Sequence, residues 1–172
     1  MIEFLKISLI STLITLAAAC VMYYFTRYDF DFKEIYNEGL DLYRQKNYKA
    51  ALSKFQFAIT KFPHKFQAHY NAGLCELKMK SPDKARNYFL AALELNPDDT
   101  DTIYNLGYIE LYANNHQKAK EYFSKIEDKL TDESDLLFNL ALIAMTEKND
   151  EEAATLMKKA IALSPEKSIF KK

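Results

Sequence analysis

Asn37, Asn71, Asn105 and Asn139 stand 34 residues apart in a chain of 172, and their type and spacing suggest recognition chemistry. An amide side chain carries a donor and an acceptor together, matching the alternating N–H and C=O groups of an extended peptide main chain. A row of such amides could grip a backbone; equally, asparagine could serve helix packing at that column. Covalent chemistry has no comparable basis. His64, His69 and His116 lack metal-ligand spacing with Cys, Asp or Glu. Cys20 lies in an apolar segment and Cys75 on a helix of the repeating region, where they cannot pair within one chain. There is no G-x-S-x-G elbow, no phosphate-binding glycine loop and no carboxylate pair in a shared setting. The reading is a non-enzyme with no metal and no cofactor.

The elements that position the asparagines follow the same period. Gly39, Gly73 and Gly107 are 34 residues apart, and Pro63, Pro97 and Pro165 fall on one lattice of that spacing. Further columns are Ala51/Ala85/Ala119/Ala153, Phe55/Phe89/Phe123/Met157 and Ala58/Ala92/Ile126/Ala160. Four units result, at 32–65, 66–99, 100–133 and 134–167. Small residues on both helices of a unit let an antiparallel pair approach closely. Proline ends each second helix, with Thr131 in its place between the third and fourth units. The turns within units fall at Lys46-Asn47, Ser81-Pro82-Asp83, Asn114-Asn115 and Lys148-Asn149-Asp150, with Ser81 expected as a cap before Pro82. Helices are predicted at about 32–45, 49–61, 66–79, 82–95, 100–113, 117–129, 134–147 and 151–163.

These columns resemble the tetratricopeptide repeat, or TPR, whose unit reads W-x2-L-G-x2-Y, then A-x3-F, then P. Leu106-Gly107, Ala72-Gly73 and the pairs Ala51/Phe55, Ala85/Phe89 and Ala119/Phe123 carry the likeness over 32–167. The chain departs from it in having Ile35, His69, Ile103 and Leu137 for Trp, Leu42, Glu76, Glu110 and Ala144 for Tyr, and Ala141 for the fourth glycine. The resemblance implies an all-α fold: a right-handed α-solenoid of four helix-turn-helix repeats that displays a surface.

Residues 1–31 differ in kind. No charge interrupts Ile7 through Phe25, which as a helix would span about 28 Å, close to the hydrocarbon thickness of a bilayer. Tyr23, Tyr24 and Tyr28, with Lys6 and Arg27, match an interfacial belt. One transmembrane helix at about 7–25 is expected, followed by a juxtamembrane segment. The alternatives are a cleaved signal after Ala17-Ala18-Ala19, or a lipoprotein acylated at Cys20. A short, positively biased tail places the repeats outside the cytoplasm, as a single-pass membrane protein. Beyond residue 31 the chain has 21 basic and 21 acidic residues, which argues against nucleic acid as a partner.

Each first helix carries a second apolar stripe: Tyr36/Leu40/Tyr43, Tyr70/Leu74/Leu77, Tyr104/Tyr108/Leu111 and Phe138/Leu142/Met145. In the resembled family first helices line the concave wall, so these residues and the asparagines would form a peptide groove. Packing between successive units is the competing use of the stripe. The resemblance also implies no grip on a chaperone's terminal carboxylate, because Tyr36, Leu40, Asp101 and Asn105 supply no positive pair. The last helix keeps Leu156, Ile161 and Leu163, a face that the tail 168–172, with Ile169 and Phe170, a second copy or a partner would have to cover. The resulting expectation is a membrane-anchored adaptor for a protein or peptide segment, similar to bacterial envelope-assembly or secretion factors. A fixed structural subunit of a membrane complex is the alternative.

Overall fold

The computed structural model describes residues 2–129 and 134–164, with side chains from residue 10 onward. Among these residues there are eight α-helices, one short 3-10 helix and no strand. They divide into two compact units, residues 1–63 and 64–172. The first unit contains α1 (Ile2–Arg44) packed on α2 (Tyr48–Lys61). The second contains three hairpins: α3 (Phe66–Lys78) with α4 (Pro82–Leu95), α5 (Thr100–Tyr112) with α6 (His116–Ser124), and α7 (Ser134–Thr146) with α8 (Asp150–Leu163). Contacts of α4 with α5, and of α7 with α5 and α6, join successive hairpins of that unit.

Every glycine faces a phenylalanine ring from the partner helix of its own hairpin. A Cβ added at Gly39, Gly73 or Gly107 would lie 2.6, 2.7 or 2.4 Å from the ring of Phe55, Phe89 or Phe123, closer than carbon atoms approach. Those rings are fully buried. Glycine in a helix interior costs about 1 kcal/mol relative to alanine, and here that cost makes room for the largest side chain of the core. The fourth hairpin solves the same problem differently: Ala141 has its Cβ, and the facing column holds unbranched Met157 in place of phenylalanine.

The turns inside the hairpins share one geometry. Lys46, Lys80, Asn114 and Lys148 have φ of 60, 60, 61 and 60°, the left-handed region. In each turn the N–H of this residue bonds back to Tyr43, Leu77, Leu111 or Met145. The next N–H bonds to Leu42, Glu76, Glu110 or Ala144, which satisfies the last carbonyls of the first helix. The chain reverses tightly without glycine. Asn47 and Asn149 then accept hydrogen bonds from Ala50 N–H and Glu152 N–H as caps of α2 and α8. Ser81 occupies the expected cap position before Pro82, but its side chain makes no capping bond.

Two further boundaries differ from the sequence reading. No break separates the apolar segment from the first repeat helix, because residues 26–31 contain neither Gly nor Pro and are laced by an Arg27–Asp31 ion pair at 3.0 Å. The second helix of the third unit stops at Ser124 and tightens into a 3-10 turn at Glu127–Lys129. There fully buried Ile126 stands in a column held elsewhere by alanine, and its N–H bonds to Phe123 O, three residues back. The marks at Thr131 and Pro165 and the tail 168–172 lie outside the described residues.

One charged cluster ties hairpins together inside the second unit. Arg86 on α4 donates from Nε to Glu110 on α5 at 2.8 Å and from Nη1 to Asp83 at 2.7 Å. Asn115 donates to the other Glu110 oxygen at 2.7 Å. This explains why Asn115, in the capping column, caps nothing. The Glu110 side chain is only 6% exposed, so its charge requires these partners. Lys120 to Glu147 at 2.5 Å, with the His116–Thr146 contact at 3.1 Å, ties α6 to the end of α7 in the same manner.

Met157→Phe is expected to lower stability by about 1–3 kcal/mol through overpacking against Ala141, and adding Ala141→Gly should restore most of it. Urea unfolding monitored by circular dichroism measures both, and an unchanged midpoint for the single variant contradicts the packing account. Arg86→Met should cost about 2–4 kcal/mol by leaving a buried carboxylate unpaired. Glu110→Gln should cost less, because a neutral amide needs no counter-charge and Arg86 can turn to water. Equal, small effects of both changes would show the cluster to be incidental.

Candidate functional site

The first helices carry the candidate residues, and each hairpin seats them in a similar way. Tyr36, Tyr70 and Tyr104 are half-buried, with ring centroids 5.8, 5.7 and 5.9 Å from Phe55, Phe89 and Phe123. The phenylalanine thus packs on two successive turns of the first helix, against the glycine backbone and the tyrosine three residues before it, and the tyrosine stays partly exposed. Leu40 and Tyr43 in the first unit are half-buried, Tyr43 lying 5.2 Å from the Tyr48 ring. In the second unit Leu74, Leu77, Tyr108, Phe138 and Leu142 are half-buried, while Leu111 is buried. Leu74, Leu77 and Tyr70 pack on the cluster of Ala85, Phe89, Leu106 and Ile109. Tyr104, Leu140 and Leu142 pack on the next cluster, around Ile103, Phe123 and Ile143. Much of the stripe therefore serves packing within and between hairpins.

The asparagine row is divided in its use. Asn37 is exposed, Asn105 half-buried, and Asn71 and Asn139 are only 7% and 4% exposed. Asn71 donates to Gln67 O at 2.9 Å and Asn105 to Asp101 O at 2.7 Å, each one turn back on its own helix. Asn139 donates to the Tyr104 hydroxyl at 2.8 Å, and Asn105 also approaches the Tyr70 hydroxyl at 3.4 Å. Tyrosine of one repeat and asparagine of the next thus form a polar latch between neighbouring first helices. The latch uses amide donors that a row of peptide-gripping amides would need.

What the face leaves open lies toward the ends of α5 and α7. Tyr112 is 64% exposed and Met145 55% exposed. The Tyr108 and Tyr112 rings meet at 4.4 Å. Burial, followed by the hydrogen bond and charge of Tyr112 and the charge of Tyr104, pushes the Tyr108 phenol up to about 12. Tyr108 therefore remains a neutral hydroxyl at physiological pH. At the opposite ends of these helices Asp101 and Asp135 are exposed, whereas Lys78 is exposed at the end of α3. Exposed charges so placed orient a ligand more than they bind it.

Cys75 is buried, and that burial, with the nearby Glu76 charge next, pushes its thiol up to about 12, which makes it a packing residue. Cys20 is exposed on α1. Among the described residues no group of three or more His, Cys, Asp and Glu side chains converges as a metal site would. Two features escape the column reading. Tyr112 stands outside the repeat stripe, one helical turn beyond Tyr108. The Arg86–Glu110 pair was signalled by a carboxylate in a column the motif gives to tyrosine, since a buried acid needs a cation nearby.

Residues 36–100 and 104–168 match the family described as Tetratricopeptide repeat. No curated protein matches the chain significantly. Among solved structures, Pseudomonas aeruginosa PilF is similar at 23% identity and a TM-score of 0.69 over 78% of this chain, which spans only 62% of that protein chain. MamA from Desulfovibrio magneticus RS-1 is 23% identical with a TM-score of 0.70, covering 80% of this chain and 77% of its own. YrrB, a TPR protein with an unusual peptide-binding site, is 23% identical with a TM-score of 0.68, covering 77% and 69%. At such identities the likeness concerns the fold. Paired repeat matches over most of the sequence, and hairpins locked by glycine against phenylalanine, make this chain a member of the tetratricopeptide repeat family.

Proposed function

We propose that this protein is a membrane-anchored TPR adaptor that binds a protein or extended peptide segment on its first-helix face. In this reading residues of about 7–25 form the anchor and 32–167 the four repeats, held outside the cytoplasm. The role is envelope assembly or secretion in a bacterium. The observation that carries it is an aromatic face whose rings are half-buried yet keep an open edge, ending in exposed Tyr112 and Met145. Aromatic and methionine side chains of this kind are enriched where proteins bind partners. YrrB supports the reading as a relative in fold with a peptide-binding site. Of the candidate residues, Tyr104, Asn105, Tyr108, Phe138 and Asn139 lie on the two helices that carry this open end, with Tyr70, Asn71 and Leu74 on the preceding first helix. Tyr36, Asn37, Leu40 and Tyr43 are the corresponding residues of the first unit.

α1 is the helix, among the described residues, long and apolar enough to cross a membrane, and its residues 10–27 are exposed. A signal sequence meets the same criterion, and acylation at the exposed Cys20 is the third form; the mass of the mature N-terminus separates all three.

A fixed structural subunit is favoured by a different observation. The Asn105 and Asn139 donors are engaged by the chain itself, and Ile161 and Leu163 on α8 are 40% and 57% exposed, an apolar surface suited to a permanent partner or a second copy. Full-length protein in lipid nanodiscs, titrated with peptides selected from an array, distinguishes the two. An adaptor exchanges bound peptide, and Tyr112→Ala with Met145→Glu weakens binding about tenfold or more, a loss of about 1.4 kcal/mol, at an unchanged melting temperature. No exchanging peptide supports the subunit, and undiminished binding by the double variant places the contact on another face.

A further inference from the structure

In the first unit, α1 and α2 run antiparallel and their register is fixed by aromatic contacts. Tyr43 meets Tyr48 at 5.2 Å, Tyr36 meets Phe55 at 5.8 Å, and Tyr28 meets Phe62 at 4.7 Å. Phe62, just past the end of α2, is also 5.6 Å from Phe32, and both are buried to 6% exposure. The end of α2 is thus pinned beside Tyr28. Phe25, the last residue of the uncharged run, lies three residues before Tyr28, or about 4.5 Å along the axis. The intervening backbone is unbroken helix.

We infer that the first hairpin is not suspended from a flexible stalk: the α1–α2 hairpin rests on the bilayer, with the end of α2 and Phe30 of α1 seated in the phospholipid headgroup layer. This rests on the anchor reading above. The headgroup layer is about 5–7 Å thick on each side of the hydrocarbon. Phe30, five residues beyond Phe25, and Lys61, which the register places level with residues 29–30, lie about 6–8 Å beyond the end of the apolar run. The chemistry suits that depth. Phe30 is 58% exposed and has the Arg27 guanidinium 5.6 Å from its ring centre, and Lys61 is exposed at the end of α2. Aromatic rings beside cations on the polar edge of an apolar helix match the interfacial layer between hydrocarbon and water. Tyr23, Tyr24 and Phe25 extend the aromatic band downward, each more than half exposed. A rigid seat of this kind would fix the direction in which the first hairpin leaves the membrane.

The chain contains no tryptophan, so single tryptophans report cleanly from chosen depths. Leu13→Trp, Phe30→Trp and Lys61→Trp all replace exposed residues and can be placed one at a time in the full-length protein. Each is reconstituted in phosphatidylcholine/phosphatidylglycerol vesicles carrying a quencher either deep on the acyl chain or on the headgroup, with iodide as the aqueous quencher. The expected result is loss of L13W fluorescence to the deep quencher and of F30W and K61W fluorescence to the headgroup quencher, with both protected from iodide. If L13W is deep while K61W responds to iodide alone, the seat is refuted and the anchor stands. If L13W itself responds to iodide, both readings fail.

Discussion

The close approach of a glycine backbone to a phenylalanine ring is the constraint on which the first three hairpins depend. With 2.4–2.7 Å available to an added Cβ, neither alanine nor any larger residue fits until the ring moves. The ring cannot easily move, because it is fully buried and the tyrosine one turn before the glycine packs against it, ring centroids less than 6 Å apart. Overpacking of this kind costs about 1–3 kcal/mol, against the roughly 1 kcal/mol that alanine would return in helix propensity. The strain term therefore decides the residue, and the chain keeps glycine inside three helices.

From this seat the display surface follows. Each tyrosine that packs on a phenylalanine carries a hydroxyl able to hydrogen-bond. In the second unit that hydroxyl meets an asparagine of the next repeat, at 3.4 Å for Tyr70 and 2.8 Å for Tyr104. The side chains that look most like ligand-binding groups are thus also the ones that hold neighbouring first helices in register. In the proposed reading, recognition falls to the residues beyond the latch, chiefly Tyr108, Tyr112, Leu142 and Met145. The Arg86–Glu110–Asn115 cluster provides a polar tie between two hairpins of the same unit, and the Lys120–Glu147 pair provides another between the next two. Packing, latch and tie all recur at or near the repeat spacing, which is what an array stabilised by nearest neighbours requires.

Much of the fold was legible because a repeat prints each structural demand several times. Gly73 alone says little; Gly39, Gly73 and Gly107 at one spacing mark a place where helices touch. The partner was less legible, since the columns do not state that the glycine opposes the phenylalanine, although the joint change to Ala141 and Met157 in the last unit carries that information. The left-handed turn residues were hidden because three of the four are lysines, chosen without the glycine that usually marks such a position. The unbroken α1 was hidden too, because a change from apolar to charged composition at Thr26 and Arg27 reads as a boundary although the backbone has no reason to stop there. For the site, the stripe could be found by periodicity, but its division between packing and display could not. That division depends on which edge of each ring a neighbouring helix covers.

The seat is tested most directly by a double-mutant cycle of Gly73→Ala and Phe89→Leu, with unfolding free energies from urea denaturation. If alanine is excluded by the ring, the pair is coupled: shortening Phe89 relieves the strain of Gly73→Ala. The double variant is then more stable than the summed single losses imply, by about 1 kcal/mol or more. Losses that add to within about 0.3–0.5 kcal/mol would show that the glycine and the ring act independently, and would contradict the account.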